Sequence, residues 1–367
     1  MKNLLMITVL LIVLLIITMA CGNSVTDNIS GSTEITEINP SEVVPNGDRI
    51  LQIDVNEGSD GDYDAALQIA MDAGVEAVSM SLGWDDIETA PGEFKPETNW
   101  LEIANAYYPV QDIAVSLVIS PIDTNVDRRP VDLRGKPFDD PEMINRYNTL
   151  LDYIYEQTPD LQLVSLSIGN EINATLGGDA EAWQEYTHFF AVTSEHARSL
   201  WTDVPIGSKV MYGGAMEHKE YVTSLMDYAD ILMVTYYPLD EKYQVQDPAE
   251  VEADLNRLAA AFPNLPIHLA EVGYPSSETN GSSPEKQAAF VHHIFNVWDE
   301  YAEQIKLISF TFQTELSPEH VSDLEEYYDY SNKAFAEYLR SLGMRTFDGQ
   351  DKPAWQQLIA ETEGRGW

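Results

Sequence analysis

From Arg49 onward, short runs of β-branched and aliphatic residues alternate with longer stretches whose apolar positions recur every three or four residues. The runs are RILQIDV (49–55), VEAVSMSL (75–82), IAVSLVIS (113–120), LQLVSLSI (161–168), VPIGSKVMY (204–212), DILMVTY (230–236), PIHLAEV (266–272) and IKLISFTF (305–312). Helical spacing falls near 62–73, 98–108, 140–157, 180–202, 217–227, 248–262, 284–303 and 330–342. This rhythm predicts an α/β protein of parallel strands covered by helices. Eight such units in about 320 residues suit a single (β/α)8 TIM barrel. An open, doubly wound sheet usually carries a glycine-rich phosphate turn after its first strand. Here that position reads DVNEGSDGD, whose acids repel a phosphate.

The chain before this rhythm is of another kind. Lys2 precedes the apolar run LLMITVLLIVLLIITMA, which ends at Cys21-Gly22. A basic start, an apolar middle and a small residue before a cleavage point describe a signal peptide over residues 1–20. The stretch TMAC resembles a bacterial lipoprotein box, with Cys21 as the lipidated residue; an uncleaved membrane anchor is the alternative. Residues 21–48 are polar, carry Ser, Thr, Asn and Pro, and lack a helical period, which reads as a flexible tether. The expected product is an exported bacterial lipoprotein, a monomer held at a membrane surface, with its barrel over 49–367. Cys21 is the only cysteine, so a core rather than disulfides has to hold that barrel.

Composition changes the picture in one respect. Sixty-one acidic residues face 20 basic ones, a net charge of −41. Such a surface repels nucleic acid and anionic lipid and so disfavours both as partners, whereas a neutral substrate meets no repulsion.

In a barrel, chemistry sits at the C-terminal ends of the strands. Those ends offer Asp54, Trp84, Asp123, Asn170-Glu171, Tyr212, Tyr236-Tyr237, Glu271 and Phe312-Gln313. Glu171 and Glu271 each close a strand that is apolar almost to its tip. Two carboxylates on well-separated strands of one mouth match the needs of glycoside hydrolysis: an acid/base and a nucleophile across one bond. Asp54 and Asp123 read as hydrogen-bond acceptors or loop caps. Trp84, Trp183, Tyr212 and Tyr274 are candidates for stacking on sugar faces or for packing. The pair His292-His293 lacks a third ligand, so neither metal nor cofactor is expected. The segment 125–141 gathers four basic residues, either over the mouth or in salt bridges to its own acids.

The motifs IGNEIN after strand four and LAEVGYP after strand seven resemble clan A of the retaining glycoside hydrolases, in which an Asn-Glu pair ends strand four and a second Glu ends strand seven. WDDIETAPGEF (84–94) is similar to the clan's Trp…Glu…Pro-Gly segment, and GMRTFDGQDKPAW (343–355) to the start of its closing helix. Endo-β-1,4-galactanases and β-1,3-glucanase-type families share features of both glutamate motifs. The resemblance implies that Glu171 is the general acid/base and Glu271 the nucleophile. It implies too that Asn170 bonds a sugar 2-hydroxyl and that Tyr237, or else Tyr236, donates to the nucleophile. The implied function is cleavage of a neutral poly- or oligosaccharide by double displacement; the alternative is a non-catalytic carbohydrate-binding lipoprotein on the same barrel.

Overall fold

The computed structural model describes residues 35–367; the signal peptide and Cys21 lie outside them. Eight strands run in parallel: β1 (Ile50–Ile53), β2 (Ala77–Gly83), β3 (Ala114–Asp123), β4 (Leu163–Asn170), β5 (206–211), β6 (Leu232–Tyr236), β7 (Ile267–Val272) and β8 (Ile305–Phe310). Adjacent strands pair in chain order, and β1 returns to β8 through Ile50↔Leu307. Strand β5 is in two pieces. Ile206–Gly207 pairs with β4, Lys209–Met211 pairs with β6, and together they close the barrel.

Eight helices pack outside: α1 (Tyr63–Asp72), α2 (Trp100–Tyr107), α3 (Pro141–Gln157), α4 (Ala180–Leu200), α5 (Lys219–Met226), α6 (Glu250–Ala261), α7 (Pro284–Glu300) and α8 (Pro353–Arg365). Several start at a side-chain cap: Asp62, Asn99, Asp140, Asp179 and Ser283 each accept from a first-turn N–H. Strand residues such as Leu51, Ile53, Val115, Leu117 and Leu166 enter the apolar layer beneath the helices. Polar side chains alternate with them. Gln52, Ser116, Ser165 and Ser309 are buried and bond one another across β1, β3, β4 and β8 at 2.6–3.2 Å, so the polar groups are satisfied among themselves.

Two departures from the expected layout matter. The helix expected near 330–342 exists as Lys333–Ser341, but it is not the eighth barrel helix; α8 is. With Pro318–Tyr327 it forms an insertion between β8 and α8, and its Phe335 and Leu339 join Leu316 and Val321 in a separate apolar cluster. Periodicity reports an apolar face but not which surface receives it. The described part of the supposed tether is also fixed. Thr36 bonds the Gln357 side chain through both its backbone groups, and the Asn46 N–H donates to Arg365 C=O, so this segment lies on α8.

Candidate active site

Strand β4 ends in a sharp turn. Gly169 has φ +88° and Glu171 φ +46°. A Cβ at Gly169 would lie 2.4 Å from the Tyr186 hydroxyl, so only glycine fits there. Thr124, just past β3, also has a positive φ of 54°, which is costly for a β-branched residue. These two left-handed residues face each other: Thr124 Oγ1 donates to Glu171 Oε2 at 2.8 Å. Thr235 Oγ1, from β6, donates to the other oxygen at 2.6 Å. Strained backbone of this kind clusters at functional sites.

Glu271 projects from β7 one strand beyond Thr235, its register partner. Its Oε1 accepts from Lys209 Nζ and its Oε2 from Tyr237 Oη, both at 2.9 Å. Lys209 is buried within β5. Burial alone would lower its pKa, but Glu271, Asp54 and Glu171 outweigh that and raise it, so the ammonium stays charged. Burial, then the charge of Glu271, push Glu171 up to about 7. The same two causes push Asp54, at the tip of β1, up to about 7. Asp54 Oδ1 has no hydrogen-bond partner among the described residues.

These groups open into one cleft of about 980 Å³ at the C-terminal end of the barrel. Trp100, Tyr107 and Tyr108 line it, as do Tyr243, Tyr330 and Tyr338 from the β6 loop and the insertion. Of the residues singled out from sequence, Asp54, Asp123, Asn170, Glu171, Tyr237, Glu271 and Phe312 line this cleft.

Four do not. Trp84 is fully buried, donates to Glu88 Oε2 at 2.7 Å and meets Tyr147 edge-on. Glu88 in turn is bound by Arg146 and by the Gly92 N–H, so the Trp…Glu…Pro-Gly segment is a packing motif. Tyr212 and Tyr236 donate to Asp254 of α6, behind the strands, so Tyr237 and not Tyr236 is the tyrosine bonded to Glu271. Gln313 is buried against the Ala66 carbonyl at 3.0 Å. Trp183 and Tyr274, also weighed as stacking rings, are packing residues that donate to the carbonyls of Gly177 and Gln246. In the segment 125–141, Arg129, Arg134 and Lys136 pair with nearby acids; Arg128 pairs with Asp85 and Asp86 and also reaches Tyr327.

Lys209, Thr235, Thr124 and Tyr327 were not picked out from sequence. One signal existed. Lysine in the middle of the otherwise apolar VPIGSKVMY has to find a buried partner or break the strand.

No protein-family model matches the sequence, and no curated protein matches it in a sequence comparison. Solved structures do share the fold. A family 39 glycoside hydrolase from Bacteroides cellulosilyticus WH2 superposes with a TM-score of 0.61 at 14% identity, over 88% of this chain and 66% of that one. The exo-β-1,4-mannosidase Op5Man5 from Opitutaceae bacterium strain TAV5 gives 0.68 at 14% identity, over 91% and 62%. A subfamily 5_18 enzyme variant from Streptomyces cattleya, in complex with Manb1-4GlcNAc, gives 0.63 at 16% identity, over 85% and 80%. The chain thus spans from 62% to 80% of the length of these three, and the likeness is one of fold.

Proposed function

We propose that this chain is a retaining glycoside hydrolase that cleaves a neutral poly- or oligosaccharide through Glu171 and Glu271. One observation carries the reading: two glutamates at the tips of β4 and β7 open into one cleft in opposite settings. Glu171, raised to about 7, holds a proton near neutrality. Glu271 is held instead by a lysine ammonium and a tyrosine hydroxyl, each donating to one of its oxygens. The glycoside hydrolases among the structural neighbours support the same reading, and the mannose-processing ones make β-mannosides the first sugars to screen.

In the first step Glu271 attacks the anomeric carbon while Glu171 gives its proton to the departing oxygen. The anomeric C–O bond breaks as the ester bond to Glu271 forms. In the second step Glu171, now a carboxylate, takes a proton from water, whose oxygen displaces Glu271 and restores it. Thr124 and Thr235 keep Glu171 on the leaving-group side. Lys209 and Tyr237 carry the charge of Glu271 whenever it is free. The exported, Cys21-anchored form is part of the same proposal, supported by the N-terminal pattern alone.

Dinitrophenyl glycosides test the two roles. Glu171→Ala removes proton donation, worth about 10²–10⁴-fold on poor leaving groups. A dinitrophenyl leaving group scarcely needs that proton, so the variant accumulates glycosyl-enzyme, and azide restores turnover as a glycosyl azide of retained configuration. Glu271→Gln loses turnover on every substrate and gives no retained azide product. Equal responses from the two variants refute the assignment. Sugar binding without turnover in the wild type favours the non-catalytic reading.

A further inference from the structure

Tyr327, the last residue of helix Pro318–Tyr327, reaches across the mouth and donates its hydroxyl to Asp123 Oδ2, at the tip of β3. The other oxygen of Asp123 accepts from Asn170 Nδ2 at 2.8 Å. Behind Tyr327, Arg128 Nη1 donates to the phenol oxygen at 3.0 Å, and the guanidinium carbon lies 5.7 Å from the ring centroid. Asp85 and Asp86 hold the arginine at 2.7 and 2.5 Å. The direction of every bond in this chain follows from its members. A guanidinium only donates, so the phenol oxygen accepts from it and directs its single hydrogen to Asp123. A carboxylate accepting on both oxygens obliges Asn170 to turn its NH₂ group toward it. The amide oxygen of Asn170 is then left buried and unpartnered at the cleft.

We propose that Tyr327 and Asp123 are positioning residues that fix the side-chain amide of Asn170, the group the resemblance pairs with the sugar 2-hydroxyl, with its NH₂ turned to Asp123 and its oxygen left to accept. The proposal rests on the glycosidase reading. It assigns a working part to the insertion: the tip of β4 is fully set only when Pro318–Tyr327 is docked. A second tie holds that contact, since Asn125 Nδ2 donates to the Tyr328 carbonyl at 3.2 Å. A buried acceptor without a partner is costly, so a ligand that supplies the missing donor is favoured over one that does not.

Two measurements decide it. In the first, Tyr327→Phe, which keeps the ring under Arg128, is assayed on matched dinitrophenyl 2-hydroxy and 2-deoxy glycosides. The expected result is about a tenfold fall in kcat/KM, carried mostly by kcat, on the 2-hydroxy substrate. The 2-deoxy substrate should change little, and adding Tyr327→Phe to Asn170→Ala should cost nothing more. Equal losses on both substrates, or an additive loss in the double variant, overturn the proposal. The second measurement needs no turnover: the Asn170 side-chain amide is followed by NMR in the unliganded protein. Its hydrogen-bonded proton should lie downfield of a free carboxamide proton and exchange slowly in the wild type, and both features should weaken in Tyr327→Phe. An unchanged amide signal overturns the positioning role. A wild type that cleaves no glycoside sinks the glycosidase reading instead, and the amide signal still decides the positioning.

Discussion

Glu171 and Glu271 are one side chain in two environments, and the difference between them is testable by pH. Glu171 has to be protonated to act as the acid, and its pKa of about 7 places the loss of that form near neutrality. The kcat/KM profile should therefore fall as pH rises through about 7. A substrate with a poor leaving group should show that limb and Glu171→Ala should lose it; persistence of the limb in the variant would assign it to another group. Asp54 adds a stability argument with a definite sign. Its folded pKa, about 7, lies above its ordinary value of 3.8, so the folded state holds a proton that the unfolded chain gives up. Stability from this group is present at low pH and declines as pH rises from about 4 to about 7. Asp54→Asn removes the cost of charging, so Tm should rise by about 1–3 °C at about pH 8 and stay level at about pH 4. An equal shift at both values would trace the effect to packing. The two glutamates were legible in sequence because an ionisable residue closing an apolar strand is conspicuous. Lys209 was not, since its partner lies 62 positions away.

At the scale of elements, the eight strands were readable because parallel barrel strands are buried on both faces and appear as short apolar runs. Closure of the barrel through a divided β5 was not readable, nor was the insertion after β8, because pairing partners and receiving surfaces are not local properties. The KPAW sequence illustrates the gap. It starts α8, as its resemblance implies, but its lysine does more than begin a helix. Buried Lys352 Nζ donates to the Ser341 carbonyl and to Glu315 at 3.2 Å each, and also to the Gly343 carbonyl. That one ammonium joins the two ends of the insertion. Gly343 completes the joint, since a Cβ there would lie 2.1 Å from the Glu315 nitrogen and 2.3 Å from the Thr314 carbon. Backbone, not a flexible side chain, would have to yield. Gly343→Ala should therefore displace the segment that carries Phe312 and Leu316 into the cleft. It should lower Tm and raise KM, with kcat less affected than in a glutamate variant. Unchanged KM with lowered Tm would show that the joint serves stability alone.

The whole molecule has two unlike ends. At the N-terminal end of the strands, Arg49 and Arg365 share Asp299 at 2.9 and 2.8 Å, and residues 36–46 rest against α8. The cleft opens at the opposite end, so the chain enters the barrel on the side away from the substrate. If the chain is anchored through Cys21, the anchor joins the barrel at the end away from the cleft; loss of membrane association in Cys21→Ala, with barrel activity intact, tests the anchor. Charge then sets what can approach. Eight carboxylates line the cleft, those of Asp123, Asp240 and Asp323 among them, against one lysine. That lysine is already bound to Glu271. A sugar acid brought there meets no free ammonium and a surface whose net charge is −41. Oligosaccharides of β-1,4-mannuronate should bind at least about tenfold more weakly than neutral β-1,4-manno-oligosaccharides of equal length at low salt. The gap should narrow with added salt, because the screening length falls from about 30 Å at 0.01 M to about 8 Å at 0.15 M. For the neutral chain, KM should change by less than about twofold over the same range, since it carries no charge to screen. Tight polyuronate binding at low salt, weakening as salt is added, would mean that the acids are not what governs entry and would remove the argument for a neutral substrate.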